Sequence, residues 1–158
     1  MTEKRPICRR AGTREDMDAC LAIRETVFQH EQAVDPAIER DGREGEAIHY
    51  LAELDGRPVA AARARLLDDR IKIERVAVLK DMRGRRIGEA LMRFMMGDLG
   101  ADPDNEGRHF FLSSQSQAAP FYERLGFAIC SPDYFEAGIA HCDMRAEPRD
   151  VSERLSRS

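Results

Sequence analysis

Apolar and polar positions alternate at the period of a strand in several short segments of this chain and at the period of a helix in others. Residues 6–12 predict a first strand, and Thr13 predicts the N-cap of a helix that has acids in its first turn and runs to about Phe28. Residues 30–46 are polar and acidic and contain Pro36, which predicts a loop with one helical turn.

A hairpin follows, with strands over 48–54 and 57–67 joined by Asp55-Gly56, a pair that favours a tight primed turn. The next strand covers 70–79, and its side chains alternate between two faces. One face carries Lys72, Glu74, Val76 and Val78, and the other carries Ile71, Ile73, Arg75 and Ala77. One side of this strand therefore meets a polar environment.

The second half of the chain continues with a helix from Gly88 to Met96, a strand over 109–114 and a short helix over 117–125 that Gly126 ends. The core stripe expected of the first of these helices is Ala90, Leu91, Phe94 and Met95, with Glu89 and Arg93 off it. Residues 127–130 and 139–144 predict a closing antiparallel pair, separated by a loop over 131–138.

The order of these elements predicts an α/β (α+β) fold in which helices flank a mixed, mainly antiparallel sheet. The length of 158 residues suits a single domain, which we assign to residues 1–146, with a charged tail over 147–158.

The formal net charge of −4 argues against non-specific nucleic-acid binding, which needs a basic field. No run of about 18 apolar residues and no apolar signal segment is present, so we expect a cytoplasmic protein that does not enter membranes. The cysteines Cys8, Cys20, Cys130 and Cys142 are widely spread and form no CxxC pair, which predicts reduced thiols and no metal site.

A basic, glycine-containing segment, RGRRIG, joins the strand over 70–79 to the helix that follows it. The first amide groups of a helix lack intrahelical partners, and the helix dipole favours an anion there. Gly84 and Gly88 allow a ligand to approach the backbone closely, and Arg83 and Arg85 add positive charge. One interpretation of the segment is a pyrophosphate-binding site, and the other is an ordinary solvated turn. The patterns of a Walker loop and of a GxGxxG dinucleotide site are absent.

Two ordered motifs resemble the GNAT superfamily of acyl-CoA-dependent N-acetyltransferases. The pattern [QR]xxGx[GA] falls on residues 83–88, with Arg86 in a glycine position, and N-x-x-A-x-x-x-Y-x-x-x-G-F falls on residues 115–127, with Gln115 in place of asparagine. A narrower resemblance to the ElaA-type branch rests on R-x-x-V-F-x-x-E-Q near the start and E-x-G-I-x-H-x-x-M near the end. The residues that carry it are Arg24, Val27, Phe28, Glu31, Gln32, Glu136, Gly138, Ile139, His141 and Met144.

The resemblance implies acetyl-CoA as cosubstrate and no metal. It implies that the backbone of the strand binds pantetheine, that the glycine loop holds the pyrophosphate and that the second motif lies along the pantetheine arm. The implied cofactor-binding residues are Val76, Ala77, Val78, Arg83, Gly84, Arg85, Arg86, Ile87, Gly88, Glu89, Gln115, Ala119, Phe121 and Tyr122.

The resemblance makes Tyr122 the general acid that reprotonates the departing CoA thiolate; the alternative is a packed helix tyrosine. Glu74 is a candidate base, or else a partner of Lys72, Arg75 or a sheet neighbour. The candidate acceptor-binding residues are Phe28, Glu31, Gln32 and His141. Glu31 is also a possible base, Phe28 has a core-packing alternative, and His141 has a structural one.

The predicted activity is transfer of an acetyl group to a primary amine by direct attack in a ternary complex. A non-catalytic acyl-CoA sensor is the alternative. The acceptor is a small molecule or a peptide, and the acidic loop hints that it is cationic, although acidic loops are usually solvated surface. Whether the chain is a monomer or a homodimer is left open.

Overall fold

The computed structural model describes residues 4–148, which form one mixed sheet of eight strands flanked by helices. The strands are β1 (Ile7–Arg10), β2 (Ile48–Leu54), β3 (Arg57–Leu66), β4 (Arg70–Val78), β5 (His109–Gln115), β6 (Ala128–Ile129), β7 (Tyr134–Glu136) and β8 (Ile139–Ala146). The α-helices are α1 (Arg14–Arg24), α2 (Pro36–Glu39), α3 (Ile87–Gly100) and α4 (Ala119–Arg124).

The strand order is β1-β2-β3-β4-β5-β8-β6, and β7 pairs with β8 beside this path. The pair β4–β5 is parallel, whereas β1–β2, β2–β3, β5–β8, β6–β8 and β7–β8 are antiparallel. A parallel pair needs a crossover, and α3 lies in the connection between β4 and β5. The predicted fold class is confirmed.

The first hairpin has the predicted tight turn. Asp55 and Gly56 both have positive φ angles, 54° and 77°, which a primed two-residue turn requires. Because this turn matches the twist of the two strands, it sets the register in which Leu54 opposes Arg57.

The described residues divide into two compact units, one comprising 4–65 with 75–95 and the other 66–74 with 96–148. In the first unit the buried face of α1 packs on the sheet. Its apolar cluster comprises Cys20, Ile23, Val27, Leu51, Ala61 and Ala77. Thr13 is the N-cap, and its hydroxyl accepts the Asp16 amide over 3.1 Å.

The first helix differs from the prediction at its end. The α-helical part stops at Arg24 and continues as a π-helical segment over Glu25–Glu31, so the helical path passes Phe28 by one turn. The amide of Gln32 bonds to the Val27 carbonyl, five residues back. The spacing of hydrophobic residues does not distinguish a π-helical turn from an α-helical one. Turns of the π type often occur at functional sites.

In the second unit, β5 and β8 alternate between a buried and a more polar face. Phe110, Leu112 and Ser114 are buried from β5, and Cys142, Met144 and Ala146 are buried from β8. The opposite face carries Ser113, Gln115, His141 and Asp143 in two directly paired rows. Gly126, with φ 105°, follows α4 as predicted, and the Phe127 amide closes the turn on the Tyr122 carbonyl.

The core stripe predicted for α3 is partly wrong. The helix extends to Gly100, four residues beyond Met96, and its buried positions are Ile87, Leu91, Met92, Met95, Met96 and Leu99. Phe94 is 39% exposed at the edge of the stripe, with its ring 6.1 Å from that of Tyr50, and Ala90 is only partly buried. Which face of α3 is buried depends on the direction in which the helix packs on the sheet. The spacing of apolar residues within the helix does not determine that direction.

The loop predicted over 131–138 contains an additional strand, β7, which pairs with β8 through a turn at Ala137 and Gly138. Both turn residues have positive φ angles, so a second tight hairpin forms although its first turn residue is alanine. Because this position is alanine, the sequence pattern did not predict the turn.

Most of the predicted tail, residues 149–158, lies outside the described residues. Assignment of 1–146 to a single domain stays a prediction. Within residues 4–148, no helix combines the length and apolar character needed to cross a membrane.

Candidate active site

The last part of β4 departs from a regular strand. Arg75 has a φ angle of 54°, which interrupts the extended backbone. The parallel pairing with β5 is in register only from Arg70 to Lys72, six residues before β4 ends. In the segment predicted to bind pantetheine, Ala77 is buried, and Val76 and Val78 are partly exposed.

The connection from β4 to α3 is exposed and contains two left-handed residues. A 3₁₀ turn over Lys80–Met82 leads to Gly84, with φ 80°, and then to Arg86, with φ 61°. The Arg86 carbonyl accepts the Ala90 amide over 3.0 Å, which starts the hydrogen bonding of α3. The amides of Ile87, Gly88 and Glu89 lie in the first turn, where a helix has no carbonyl partners of its own for them.

Arg86 stands in a glycine position of the family pattern and has a left-handed backbone conformation. A left-handed conformation costs a residue with a side chain about 1–2 kcal/mol, whereas glycine adopts it freely. Arg86 therefore holds a conformation that favours glycine and adds a long basic side chain to the exposed loop.

Arg83 is engaged by protein groups on all sides of its guanidinium. Its Nε donates to the Val78 carbonyl over 3.1 Å, and Nη1 and Nη2 donate to the Glu31 carboxylate over 2.6 and 2.9 Å. The guanidinium lowers the pKa of the Glu31 carboxyl, chiefly through these hydrogen bonds. Glu31 is therefore ionised but tightly held. Further along the helix, Glu89 accepts a 2.7 Å hydrogen bond from Arg93, one turn away.

The second motif begins at the end of β5. Gln115 is the last residue of the strand, a 3₁₀ turn over Ser116–Ala118 follows, and α4 starts at the buried Ala119. The ring of Tyr122 packs edge-on against Phe121 and Phe127, with centroids 5.0 and 6.0 Å away. These contacts fix the direction of the tyrosine ring.

The hydroxyl of Tyr122 makes no hydrogen bond to any other group in the described part of the chain, and the side chain is partly exposed. Packing of protein atoms around it raises the pKa of Tyr122 to about 12 through burial. The phenol is therefore protonated at neutral pH and is available to donate to a ligand.

Glu74 follows the two-faced pattern predicted for β4. Its side chain is only 8% exposed, and its carboxylate lies 3.5 Å from the ammonium of Lys72, on the same face. The predicted alternative of an ion pair with Lys72 is therefore present. Arg75 points to other carboxylates, those of Glu39 and Asp41, at 3.4 and 3.5 Å.

The remaining predicted acceptor residues fall in different places. Phe28 packs against the apolar cluster of the first unit, as its core-packing alternative predicts. Gln32 is exposed at the end of the π-helical segment, immediately before Ala33, whose φ angle is 55°. His141 lies on the polar face of β8 directly opposite Gln115.

A network of buried arginines and carboxylates organises the loop between α1 and β2, and the sequence pattern did not predict it. Arg24 and Arg63 are each 1% exposed. Arg24 binds the buried Glu39 over 2.5 Å and Glu44 over 3.0 Å, and Arg63 binds Asp41 with two hydrogen bonds. The available signal was Arg63 itself, a charged residue within the small apolar residues of β3.

This network corrects the suggestion that the acidic loop attracts a cationic acceptor. The carboxylates of Glu39, Asp41 and Glu44 are neutralised by Arg24, Arg63 and Arg75. Glu46 remains at the surface and pairs with Arg43 over 3.1 Å. Most of the negative charge in the loop therefore holds it to the protein.

Within residues 4–148, no three His, Cys, Asp or Glu side chains gather as a metal site. The four cysteines are free thiols, two of them buried, and burial raises the pKa of the Cys20 thiol to about 12. Cys20 is therefore an unreactive core residue.

Residues 9–148 match the sequence model of the acetyltransferase (GNAT) domain. The chain is 34% identical over 135 residues to YjcF of Bacillus subtilis, an uncharacterized N-acetyltransferase, which covers 85% of this chain and 94% of that protein. The crystal structure of Escherichia coli ElaA superposes with a TM-score of 0.78 at 28% identity, covering 90% of this chain and 99% of ElaA.

The fold is also similar to that of an aminoglycoside 6′-N-acetyltransferase whose crystal structure was determined with coenzyme A. That superposition has a TM-score of 0.69 at 13% identity and covers 90% of this chain and 97% of the other. At this identity the similarity concerns the fold alone.

Proposed function

This chain belongs to the GNAT family of acetyltransferases, in its ElaA-like branch, and from that premise we propose that it transfers the acetyl group of acetyl-CoA to a primary amine in a ternary complex. The amine nitrogen attacks the thioester carbonyl, the carbon–sulfur bond breaks, and CoA leaves as a thiolate that takes up a proton. Because the amine attacks directly, no cysteine nucleophile is needed, in agreement with the buried position of Cys20 and Cys142.

In the first unit, the end of β4 and the start of α3 are assigned to the cofactor. The exposed turn with left-handed Gly84 and Arg86 supports this, because it precedes a helix N-terminus and carries the charge of Arg83, Arg85 and Arg86. Val76, Ala77 and Val78 are assigned to pantetheine through their backbone groups, and Ile87, Gly88 and Glu89 to the pyrophosphate through their amides. The early end of the β4–β5 ladder supports the first of these assignments.

In the second unit, Gln115, Ala119 and Phe121 are assigned to the pantetheine arm and Tyr122 to the departing sulfur. The free, protonated hydroxyl of Tyr122 is the observation that carries the proposal. A phenol held by Phe121 and Phe127, without a protein partner, is suited to donate a hydrogen bond and then its proton to a developing thiolate.

The acceptor is a small-molecule or peptide amine. Phe28, Glu31, Gln32 and His141 are the residues proposed to contact it. Of these, Phe28 also packs on the core and Glu31 also binds Arg83, whereas Gln32 lies at the surface and His141 lies on the polar face of β8 opposite Gln115.

Measuring acetyl-CoA binding by calorimetry together with CoA release in a thiol-reagent assay, across a panel of primary amines, tests this proposal. We expect binding of acetyl-CoA and amine-dependent release of CoA. Binding without release for any amine would instead support an acyl-CoA sensor. Absence of binding would contradict both functions.

A further inference from the structure

We propose that Nε2 of His141 is the base that takes the proton from the attacking amine, and that Glu136 stabilises the imidazolium that results. This inference rests on the proposed acetyl transfer and assigns its missing base. Neither of the carboxylates considered from the sequence is free for that role. Glu31 is held by Arg83, and Glu74 lies beside the ammonium of Lys72.

The hydrogen bonding of His141 defines its neutral tautomer. Nδ1 lies 2.8 Å from the carbonyl oxygen of Ile139. A carbonyl only accepts hydrogen bonds, so Nδ1 carries the hydrogen and donates it. In the neutral ring, Nε2 therefore holds a lone pair, which is what a general base requires.

Glu136 lies where it favours the protonated ring. Its Oε2 is 3.9 Å from Nε2 of His141. A carboxylate gains nothing from a neighbouring lone pair, but it attracts the N–H of an imidazolium. Proton uptake at Nε2 therefore creates an ion pair that does not exist before the reaction.

The surrounding groups orient the imidazole and add negative charge. The ring stacks on Tyr134, with centroids 6.1 Å apart and 22° between the planes. The Tyr134 hydroxyl donates to Asp143 over 2.6 Å, and the Ser113 hydroxyl donates to the same oxygen over 3.0 Å. The titratable and charged groups around the ring are thus Tyr134 and Glu136 from β7 and Asp143 from β8. From β5, the facing residues Ser113 and Gln115 are uncharged.

The position of His141 agrees with its proposed role as the base. It directly opposes Gln115, and side chains of directly opposed residues have Cβ atoms about 5 Å apart. Gln115 ends β5 at the point where the chain turns through Ser116–Ala118 into the helix of Tyr122. The side chain of His141 is 14% exposed, so it is largely sheltered from water but reachable.

The proton balance of the step is complete. The amine arrives as the free base, its nitrogen bonds to the thioester carbon, and the excess proton on that nitrogen moves to Nε2 of His141. Tyr122 gives its proton to the CoA thiolate as the carbon–sulfur bond breaks. The enzyme is left with an imidazolium and a phenolate, and water returns the proton from one to the other.

The tautomer is tested on the full chain with ¹⁵N-labelled histidine, using the H141Q spectrum to assign the His141 signals. We expect the proton on Nδ1 at neutral pH, as its 2.8 Å contact with the Ile139 carbonyl requires. A proton on Nε2 would overturn the proposal. This readout needs neither cofactor nor acceptor, so it is independent of the proposed function.

The rate of turnover tests whether His141 acts as the base. The assay uses acetyl-CoA and the amine of the panel that gives the fastest release of CoA. Where no amine is acetylated, the assay follows the hydrolysis of acetyl-CoA by water. H141Q is expected to lower kcat at least 100-fold and to remove the rise of rate with pH on the acid side, with acetyl-CoA affinity unchanged. The matched control is H109Q, on the same face of β5 but about 20 Å from Gln115, and it should keep the wild-type profile. Wild-type rate and pH dependence in H141Q, with acetyl-CoA bound, would overturn the proposal while leaving acetyl transfer intact.

Discussion

Arg83 donates two hydrogen bonds to the carboxylate of Glu31, although 52 residues separate them along the chain. Arg83 opens the family's pyrophosphate pattern, and Glu31 belongs to the π-helical segment that carries the ElaA-type motif. A carboxylate therefore takes up donors that a phosphate oxygen would also accept. The cofactor and Glu31 compete for one guanidinium if the proposed function holds.

The first prediction concerns this competition. Glu31→Gln should tighten CoA binding by about twofold to fivefold, because an exposed ion pair worth up to about 1 kcal/mol no longer opposes it. Calorimetric titration with CoA measures the change. Glu25→Gln is the control, since Glu25 is exposed in the same segment and pairs with His30 instead. Weaker or unchanged CoA binding in Glu31→Gln would show that Glu31 does not compete for Arg83.

The second prediction concerns Arg86. Arg86→Gly should stabilise the protein by about 1 kcal/mol, because glycine adopts a φ angle of 61° without strain. The expected rise in Tm is about 2–4 °C in a chain of this length. Arg85→Gly, which removes the neighbouring charge at a position without a left-handed φ angle, should lower Tm. A fall in Tm for both variants would contradict the strain argument.

The same Arg86→Gly variant separates two roles of the arginine in CoA binding. Tighter binding would mean that the side chain obstructs the cofactor loop, and weaker binding would mean that it binds a phosphate. Calorimetry at low and high salt distinguishes them further, since a phosphate contact weakens as salt rises.

The third prediction concerns Tyr122. Tyr122→Phe should lower kcat by about 100-fold or more while acetyl-CoA still binds, because the ring contacts with Phe121 and Phe127 persist and only the proton donor is lost. In the wild type, a pKa of about 12 keeps the phenol protonated across pH 7–10. The rate should therefore show no decline attributable to Tyr122 in that range. An unchanged kcat in Tyr122→Phe would remove the general-acid role.

The fourth prediction concerns the buried ion pair of Arg24 and Glu39. Glu39→Gln should destabilise the protein by about 3 kcal/mol, because it leaves the charge of a 1% exposed arginine partly uncompensated. Urea denaturation measures the loss. Glu46→Gln, at an exposed acid of the same loop, should change stability by less than about 0.5 kcal/mol. Equal effects of the two substitutions would show that the buried network does not hold the loop.

The fifth prediction concerns acid stability. The Arg63 guanidinium holds the pKa of the Asp41 carboxyl far below its usual range, so Asp41 stabilises the fold above its unfolded-state pKa of about 4 and loses that contribution as pH falls toward the folded-state pKa. Asp41→Asn should therefore be less stable than wild type at pH 7, and the difference should shrink below pH 4. The control is Asp68→Asn, at an exposed site. A difference that stays constant with pH would contradict the linkage.

Local sequence features were sufficient to predict most of the elements of the fold. Thr13, Asp55-Gly56 and Gly126 end or begin elements through short-range hydrogen bonding and backbone conformation, and all three act as predicted. The two motifs were visible for the same reason, since each occupies one continuous turn between a strand and a helix. Ala137 was the exception, because alanine rarely adopts the left-handed conformation that its turn requires.

Relationships between distant segments were decided by tertiary structure alone. Pairing of Arg24 with Glu39, of Arg63 with Asp41 and of Arg83 with Glu31 depends on how α1, the following loop and the sheet meet in the first unit. The sequence does not identify the ion-pair partner of a charged side chain, because any opposite charge that folding brings within about 4 Å can form the pair. The sequence by itself therefore determined the family, most of the elements and the candidate residues. Tertiary structure decided which carboxylates are neutralised, that Arg86 occupies a glycine conformation, and that His141 stands beside Gln115 with its Nδ1 on the Ile139 carbonyl.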